Sequence, residues 1–484
     1  MADLGMGSTS ILLSSSDGQE VVGADSGSDT QTDGAGGQQK ASPPKKTYTY
    51  TYRTLGGYFL QDDPATDAAT FDFMAPGTNF GLIDRAYESD GSLPNEGREM
   101  TQWQRFEHHV RSLNQDARDE EDDEAQEDGG ADKKEQGRRH SPPHSLPRTR
   151  YLVFFFGRHG NGYHNIAERY YGSAAWDCHF SALDGDPDGI MTWADAALSL
   201  EGKRQARQVN SFWKTQTAAP TEDGSGQNMR PPDVYLVSPL DRTLETALLS
   251  FDGVGVGTPD AKLEGAAAAA VVMEKAREGT GIHTCDRRGN VTSIRARYPS
   301  YNVDADSYLT EVDEFWTPDR REPSAALDKR VRGFLDDLMS NPEILGAGKE
   351  SVSVTSHSGA IAAMLRVLDH RPFGLGTGAV IPVLIKVRRD SLDDEDNDKM
   401  LGRRHGGSGE GANHEDPTLD LPDEGEGRDS ANVDPDDRSK WATIPSCPAD
   451  LDLATVGQKR WGMGLKEFLA GVEGGTLDME KVPF

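Results

Sequence analysis

The apolar positions of this chain fall into short continuous runs separated by amphipathic stretches. Tyr151 to Phe155, Asp233 to Val237 and Ser351 to Thr355 each predict a short buried strand. Asp195 to Lys214 places Ala206, Val209, Phe212 and Trp213 on one helical face, and Pro323 to Met339 repeats that spacing with Leu327, Val331, Phe334, Leu335 and Leu338. Shorter helices are expected at Arg242 to Phe251 and Ala360 to Asp369. Val380 to Val387 closes the series as a strand, and Pro382, which has no N–H to donate, predicts an edge or bulged position for it. Thr47 to Arg53 alternates Tyr and Thr and predicts a β-prone or extended segment. From Tyr151 onward strand and helix alternate, which predicts an α/β fold, a three-layer α/β/α sandwich around a mostly parallel sheet.

Composition divides the chain further. With 53 Gly, 26 Pro and only 35% hydrophobic residues among 484, much of it is not expected to pack. Residues 1–46 read as a disordered tail, 47–113 as an N-terminal extension packed on the catalytic domain, and 114–148 as an acidic linker. The catalytic domain is expected at 149–389, a disordered acidic insertion at 390–440 and a C-terminal segment at 441–484, where Lys459 to Leu469 predicts a helix. The net charge of −30 argues against a nucleic-acid surface. Nothing approaches 18 consecutive apolar residues, and Met-Ala-Asp-Leu-Gly lacks a basic region and an apolar core, so neither a membrane span nor a secretory signal is expected. Cys178, Cys285 and Cys447, odd in number and far apart, suit reduced thiols in the cytoplasm, with the nucleus as a further location.

The candidate chemistry lies where three of the strands end. Tyr151 to Phe155 runs into Phe-Gly-Arg-His-Gly-Asn-Gly-Tyr-His-Asn at 156–165, the second strand runs into Ser-Pro-Leu-Asp-Arg at 238–242, and the third into Ser-His-Ser-Gly at 356–359. Ligands of open α/β sheets bind outside the carboxyl ends of the strands, so Arg158, His159, Arg242 and His357 are expected to converge on one anion. Two guanidiniums can hold phosphoryl oxygens while one imidazole attacks phosphorus and a second hydrogen-bonds the group in flight. That scheme needs no metal and no cofactor. It agrees with a sequence without a Walker-type loop, paired zinc-binding cysteines or an HExxH motif.

Arg158-His159-Gly160 with Asn165, Ser238-Pro-Leu-Asp-Arg242-Thr243, Ser356-His357-Ser-Gly359 and the Asp195 to Gly202 segment with Gln205 together resemble the histidine phosphatase superfamily, specifically its phosphoglycerate mutase-like branch. The resemblance covers roughly 150–390. It implies that His159 is the nucleophile, that Arg158, Arg242 and His357 bind the phosphoryl group, and that Asn165 completes the pocket. It also implies an acidic proton donor after the third strand. Glu278 is preferred over Glu274, because Arg277 to Arg288 resembles a eukaryotic subset of the branch, as does Trp176-Asp-Cys178-His179.

The expected activity is hydrolysis of a small phosphorylated substrate, since the longer substrate-enclosing segment of true cofactor-dependent mutases is not found. A mutase-type phosphoryl transferase and an inactive interaction protein are the alternatives. Asn161, Tyr163 and His164 either shape specificity or form a solvated loop. Arg287 and Arg288 either meet a second anionic group or solvate a loop, and Cys178-His179 and His283/Cys285 lack the spacing of a metal site.

Overall fold

A computed structural model describes residues 48–127, 147–221, 226–254, 270–391 and 437–477. Among them β1 (Tyr48–Thr54), β2 (Thr149–Arg158), β3 (Val234–Val237), β4 (Val271–Val272), β5 (Ser351–Ser356) and β6 (Val380–Ser391) form one sheet. The strand order is β1-β6-β2-β5-β3-β4. β2, β5, β3 and β4 are mutually parallel, and β6 runs antiparallel to both β1 and β2. The helices are α1 (Gln102–Glu127), α2 (Tyr163–Tyr171), α3 (Ser173–Cys178), α4 (Leu200–Thr217), α5 (Asp241–Phe251), α6 (Val291–Arg297), α7 (Ser324–Ser340), α8 (Ser358–Val367), α9 (Val456–Trp461) and α10 (Leu465–Glu473).

Alternation along β2 divides the core. Leu152, Phe154 and Phe156 join the apolar faces of α7 and α8 on one side of the sheet. Val153 and Phe155 join Trp103, Phe106, Trp213, Leu244 and Phe251, from α1, α4 and α5, on the other. Each such side chain, fully buried, stabilises the fold by roughly 1.5–3 kcal/mol. The result is helix, sheet, helix: the three-layer α/β/α sandwich that the alternation predicts.

Four expectations are corrected. β6 is an interior strand, not an edge, although it contains Pro382. β1 pairs with it only from Ile385 onward, and Pro382 lies opposite Phe155 of β2, so the missing N–H falls on the stretch that has a single neighbour. The acidic linker does not begin at 114, because α1 continues to Glu127; its early turns are anchored by Trp103, Phe106 and Val110, and one helix propagates more readily than two nucleate. The helix expected at Lys459 to Leu469 is two, α9 and α10, divided at Gly462, whose φ of 69° ends α9 in the left-handed conformation. The three thiols are not all reduced: Cys178 and Cys447 form a disulfide with Cα atoms 5.0 Å apart, and Cys285 is free and buried.

Packing explains that disulfide where spacing along the chain did not. Leu465, Phe468 and Val472 of α10 bury against Ile166, Tyr170 and Tyr171 of α2, and Arg321 N–H donates to Ala442 O at 2.8 Å. This path carries Cys447 past the end of α3. The ground for expecting a reducing compartment is thereby removed. No described helix is long and apolar enough to cross a membrane. Residues 1–46, and most of the acidic stretches expected at 114–148 and 390–440, lie outside the described residues.

Candidate active site

Parallel pairing aligns the ends of three strands. Arg158 is in register with Ser356 and Val237 with Thr355, so Arg158-His159, Ser238 to Arg242 and His357 emerge at one edge of the sheet. The ring centroids of His159 and His357 are 5.1 Å apart, and both rings are buried.

The loop after β2 is fixed at each residue. His159 N–H donates to Ser356 O at 3.0 Å, Gly160 N–H to Thr246 Oγ1 at 3.0 Å and Asn161 N–H to Gln205 Oε1 at 2.8 Å. Ser199 caps α4 by accepting from Gly202 N–H at 3.1 Å and donates to Asn161 Oδ1 at 2.8 Å. Gly160 and Gly202 are dictated by this contact. A Cβ on Gly160 would stand 2.5 Å from the carbonyl oxygen of Gly202, and one on Gly202 would overlap the backbone of Asn161.

Hydrogen bonds decide where the imidazole protons sit. His159 Nδ1 lies 2.7 Å from the carbonyl oxygen of Gly160, which can only accept. The proton is therefore on Nδ1 and the Nε2 lone pair is available for attack. Burial, and then the charges of Arg242 and Arg158, hold this imidazole well below the usual histidine range. His357 Nε2 lies 2.8 Å from Ser238 Oγ; the hydroxyl has no other acceptor among the described residues, so it donates and leaves the His357 proton on Nδ1. That Nδ1 is buried without a protein partner, which suits a donor to a phosphoryl oxygen. His357 too is held neutral by burial and by the charge of Arg242.

Arg242 is 1% exposed. Its Nη1 donates to Cys285 O at 2.5 Å and its Nη2 to Asp286 Oδ1 at 2.8 Å, while Nε is buried with no protein acceptor. Asp286 also takes Arg321 Nη1 at 2.8 Å. Burial alone would raise the Asp286 carboxyl, but the charges of Arg321 and Arg242 outweigh it and hold the group below the usual carboxylate range. His283, Cys285 and Asp286 bring potential ligand atoms within 4.8 Å of one another. The two guanidiniums already on Asp286 oppose a metal cation there.

The two candidate acids differ in surroundings. Glu278 Oε1 accepts from Gly279 N–H at 2.9 Å, and Oε2 from Gly359 N–H at 3.0 Å in the first turn of α8, two residues after His357. Glu274 is fully buried, with one oxygen on Arg277 at 2.6 Å and the other on Arg288 at 2.7 Å. Arg288 is thus a buried structural side chain, and Arg287 pairs with Asp184 at 2.7 Å over the ring of Trp316. Arg158 Nη1 donates to Leu375 O at 2.7 Å. Asn165 Oδ1 accepts from Gly162 N–H at 3.0 Å as part of the start of α2, which leaves its amide NH2 as the group able to meet an anion.

Local sequence does not mark Ser238, Thr246, Asp286 or Arg321 individually as residues of the site. Ser238 opens the Ser-Pro-Leu-Asp-Arg motif, but nothing local marks it as the partner of a histidine more than a hundred positions away. Asp286 likewise reaches Arg242 only through the fold.

No family model matches the chain. It is 40% identical over 352 residues to a probable phosphoglycerate mutase of Arthroderma benhamiae, covering 72% of this chain and 89% of that protein. It is 32% identical over 263 residues to a probable phosphoglycerate mutase of Saccharomyces cerevisiae, covering 52% and 85% of the two chains. With phosphomutase-like protein 3 of Candida albicans it shares 32% identity over 246 residues, 51% of this chain and 69% of the other.

Proposed function

Because this chain belongs to the phosphoglycerate mutase-like branch of the histidine phosphatase superfamily, we propose that it is a phosphatase of small phosphomonoesters that works through a phosphohistidine. His159 Nε2 bonds to phosphorus as the ester P–O bond breaks, and Glu278 gives its proton to the departing oxygen. Water then attacks phosphorus, Glu278 takes its proton, the N–P bond breaks and inorganic phosphate leaves. Arg158, Arg242 and His357 hold the non-bridging oxygens, and Asn165 adds its amide. One observation carries the reading: His159, with its proton fixed on Nδ1 by the Gly160 carbonyl, stands 5.1 Å from His357 at the strand ends that also bear both arginines.

The guanidiniums supply the positive charge of the pocket, so hydrolysis of an aryl phosphate should persist in excess chelator and be blocked by vanadate. His159→Ala should abolish both turnover and an acid-labile, base-stable phosphoenzyme. Activity lost in EDTA and restored by a divalent ion, or a tenth of the wild-type rate surviving in His159→Ala, would overturn the mechanism.

The names of the relatives favour a second reading, a mutase that returns the phosphoryl group to the product. Labelled phosphate retained on product with a bisphosphate primer would select it; release as inorganic phosphate would select hydrolysis.

A further inference from the structure

We propose that His164 is a third imidazole of the active site, donating a hydrogen bond from Nε2 to the phosphoryl group during transfer. The proposal rests on the phosphatase reading and adds a residue to it. The His164 ring centroid lies 5.3 Å from that of His159, and that of His357 lies 5.1 Å from it, so the nucleophile has two imidazole neighbours.

His164 is 8% exposed. Its Nδ1 is sealed and has no hydrogen-bond partner. The reason is Gly162, whose position would place a Cβ 2.7 Å from that nitrogen. Gly162 has an extended backbone with φ of −105° that other residues adopt, so the glycine provides room for the ring and not an unusual conformation. This Nδ1 abuts Gly162, so a proton on it would be a buried donor held against the glycine with nothing to meet, at a cost of about 1–3 kcal/mol. The proton therefore resides on Nε2. Nδ1 is sealed without a partner, and Nε2 is not so sealed.

Burial, followed by the charge of Arg242, keeps the imidazole uncharged. A neutral donor has a specific use beside two arginines. It strengthens as oxygens gain charge in the transition state, without adding a third full charge that would retain the phosphate product.

Vanadate, which mimics the five-coordinate transition state, and inorganic phosphate are the two probes, titrated by calorimetry against the full chain. His164→Phe keeps the ring and removes the donor; it should weaken vanadate about 100-fold and phosphate less than about fivefold, and lower kcat about 100-fold with KM little changed. His164→Gln, whose amide reaches the Nε2 position, should recover most of both losses. If His164→Phe fails to fold, His164→Asn, which is too short to reach that position, replaces it and should show the same losses.

Vanadate affinity and kcat within about threefold of wild type in these variants would overturn the proposal. So would equal weakening of both anions, the mark of a merely structural role. Wild-type protein that hydrolyses through His159 but is indifferent to His164 would refute this inference alone. Wild-type protein that neither hydrolyses nor binds vanadate would refute the phosphatase reading as well.

Discussion

Glu274 and Glu278 stand four positions apart, yet their oxygens are spent differently. Glu278 accepts two backbone N–H groups beside the His357 helix, whereas Glu274 closes a buried network with Arg277 and Arg288. Glu278→Gln should slow phosphoenzyme formation from alkyl phosphates about 10²- to 10⁴-fold and leave the release of nitrophenolate in the first turnover nearly unchanged, because only the poorer leaving group needs a proton in that step. Glu274→Gln should instead cost about 3–5 kcal/mol of stability in a denaturant melt, since it removes the ion pair of the buried Arg288, while Arg277 keeps Asp313. Both carboxyls were legible in the sequence as alternatives. What separated them was the identity of their partners, which neither spacing nor composition contains.

At the scale of elements, the segment most exposed to small change is the contact between the loop after β2 and the start of α4. Gly202→Ala sets a methyl group against the backbone of Asn161, and neither side is the free end of a flexible side chain. The loop that carries His159 must shift, and a displacement of about 1 Å from the reactive geometry can cost 10²-fold in rate. The expectation is a fall of that order in kcat/KM, measured beside Gly91→Ala, whose Cβ would meet nothing within 4 Å and which should leave the rate unchanged. The helices α4, α5, α7 and α8 were readable from apolar periodicity because each lays one face on the sheet. The interior position of β6 was not, because the single neighbour that tolerates Pro382 follows from where β1 stops pairing.

For the whole molecule the Cys178–Cys447 disulfide joins residues 269 positions apart. Closing so long a loop in the unfolded chain is worth roughly 5 kcal/mol in the chain-entropy model. Dithiothreitol should therefore lower the Tm of the wild-type protein by several degrees and leave Cys447→Ser unaffected; equal Tm values with and without reductant would show the bond to be absent.

Acid should also destabilise the fold. Burial holds His159, His164 and His357 well below the usual histidine range and lowers His283 to about 3. In the unfolded chain the same groups titrate near 6.5. As pH falls below about 6.5 the unfolded chain binds these protons first, so stability present above that pH is lost, with a slope of about 1.4 kcal/mol per pH unit for each imidazole. Glu107, raised to about 7 by burial, and Asp195, raised to about 6, act in the opposite sense, as do Asp241, Asp306 and Glu350, while His109 is lowered by burial with the other imidazoles. Denaturant melts at pH 7.5, 6.0 and 5.0 should show the fall, and His283→Gln should show a shallower one.

The sequence by itself determined the layers and which residues stand at the strand ends. Periodicity of 2 and 3.6 states which face of each element is apolar, and Arg158, His159, Arg242 and His357 are set by strands whose carboxyl ends a parallel sheet must bring to one edge. Tertiary structure alone decided which protons those imidazoles hold, which carboxylate lies beside them, what fills Arg242's fork and which cysteines meet. Those outcomes depend on contacts of a few ångströms between residues tens to hundreds of positions apart. Such distances are set by how the layers pack, and apolar patterning specifies that two faces meet without specifying which polar atoms then come within bonding distance.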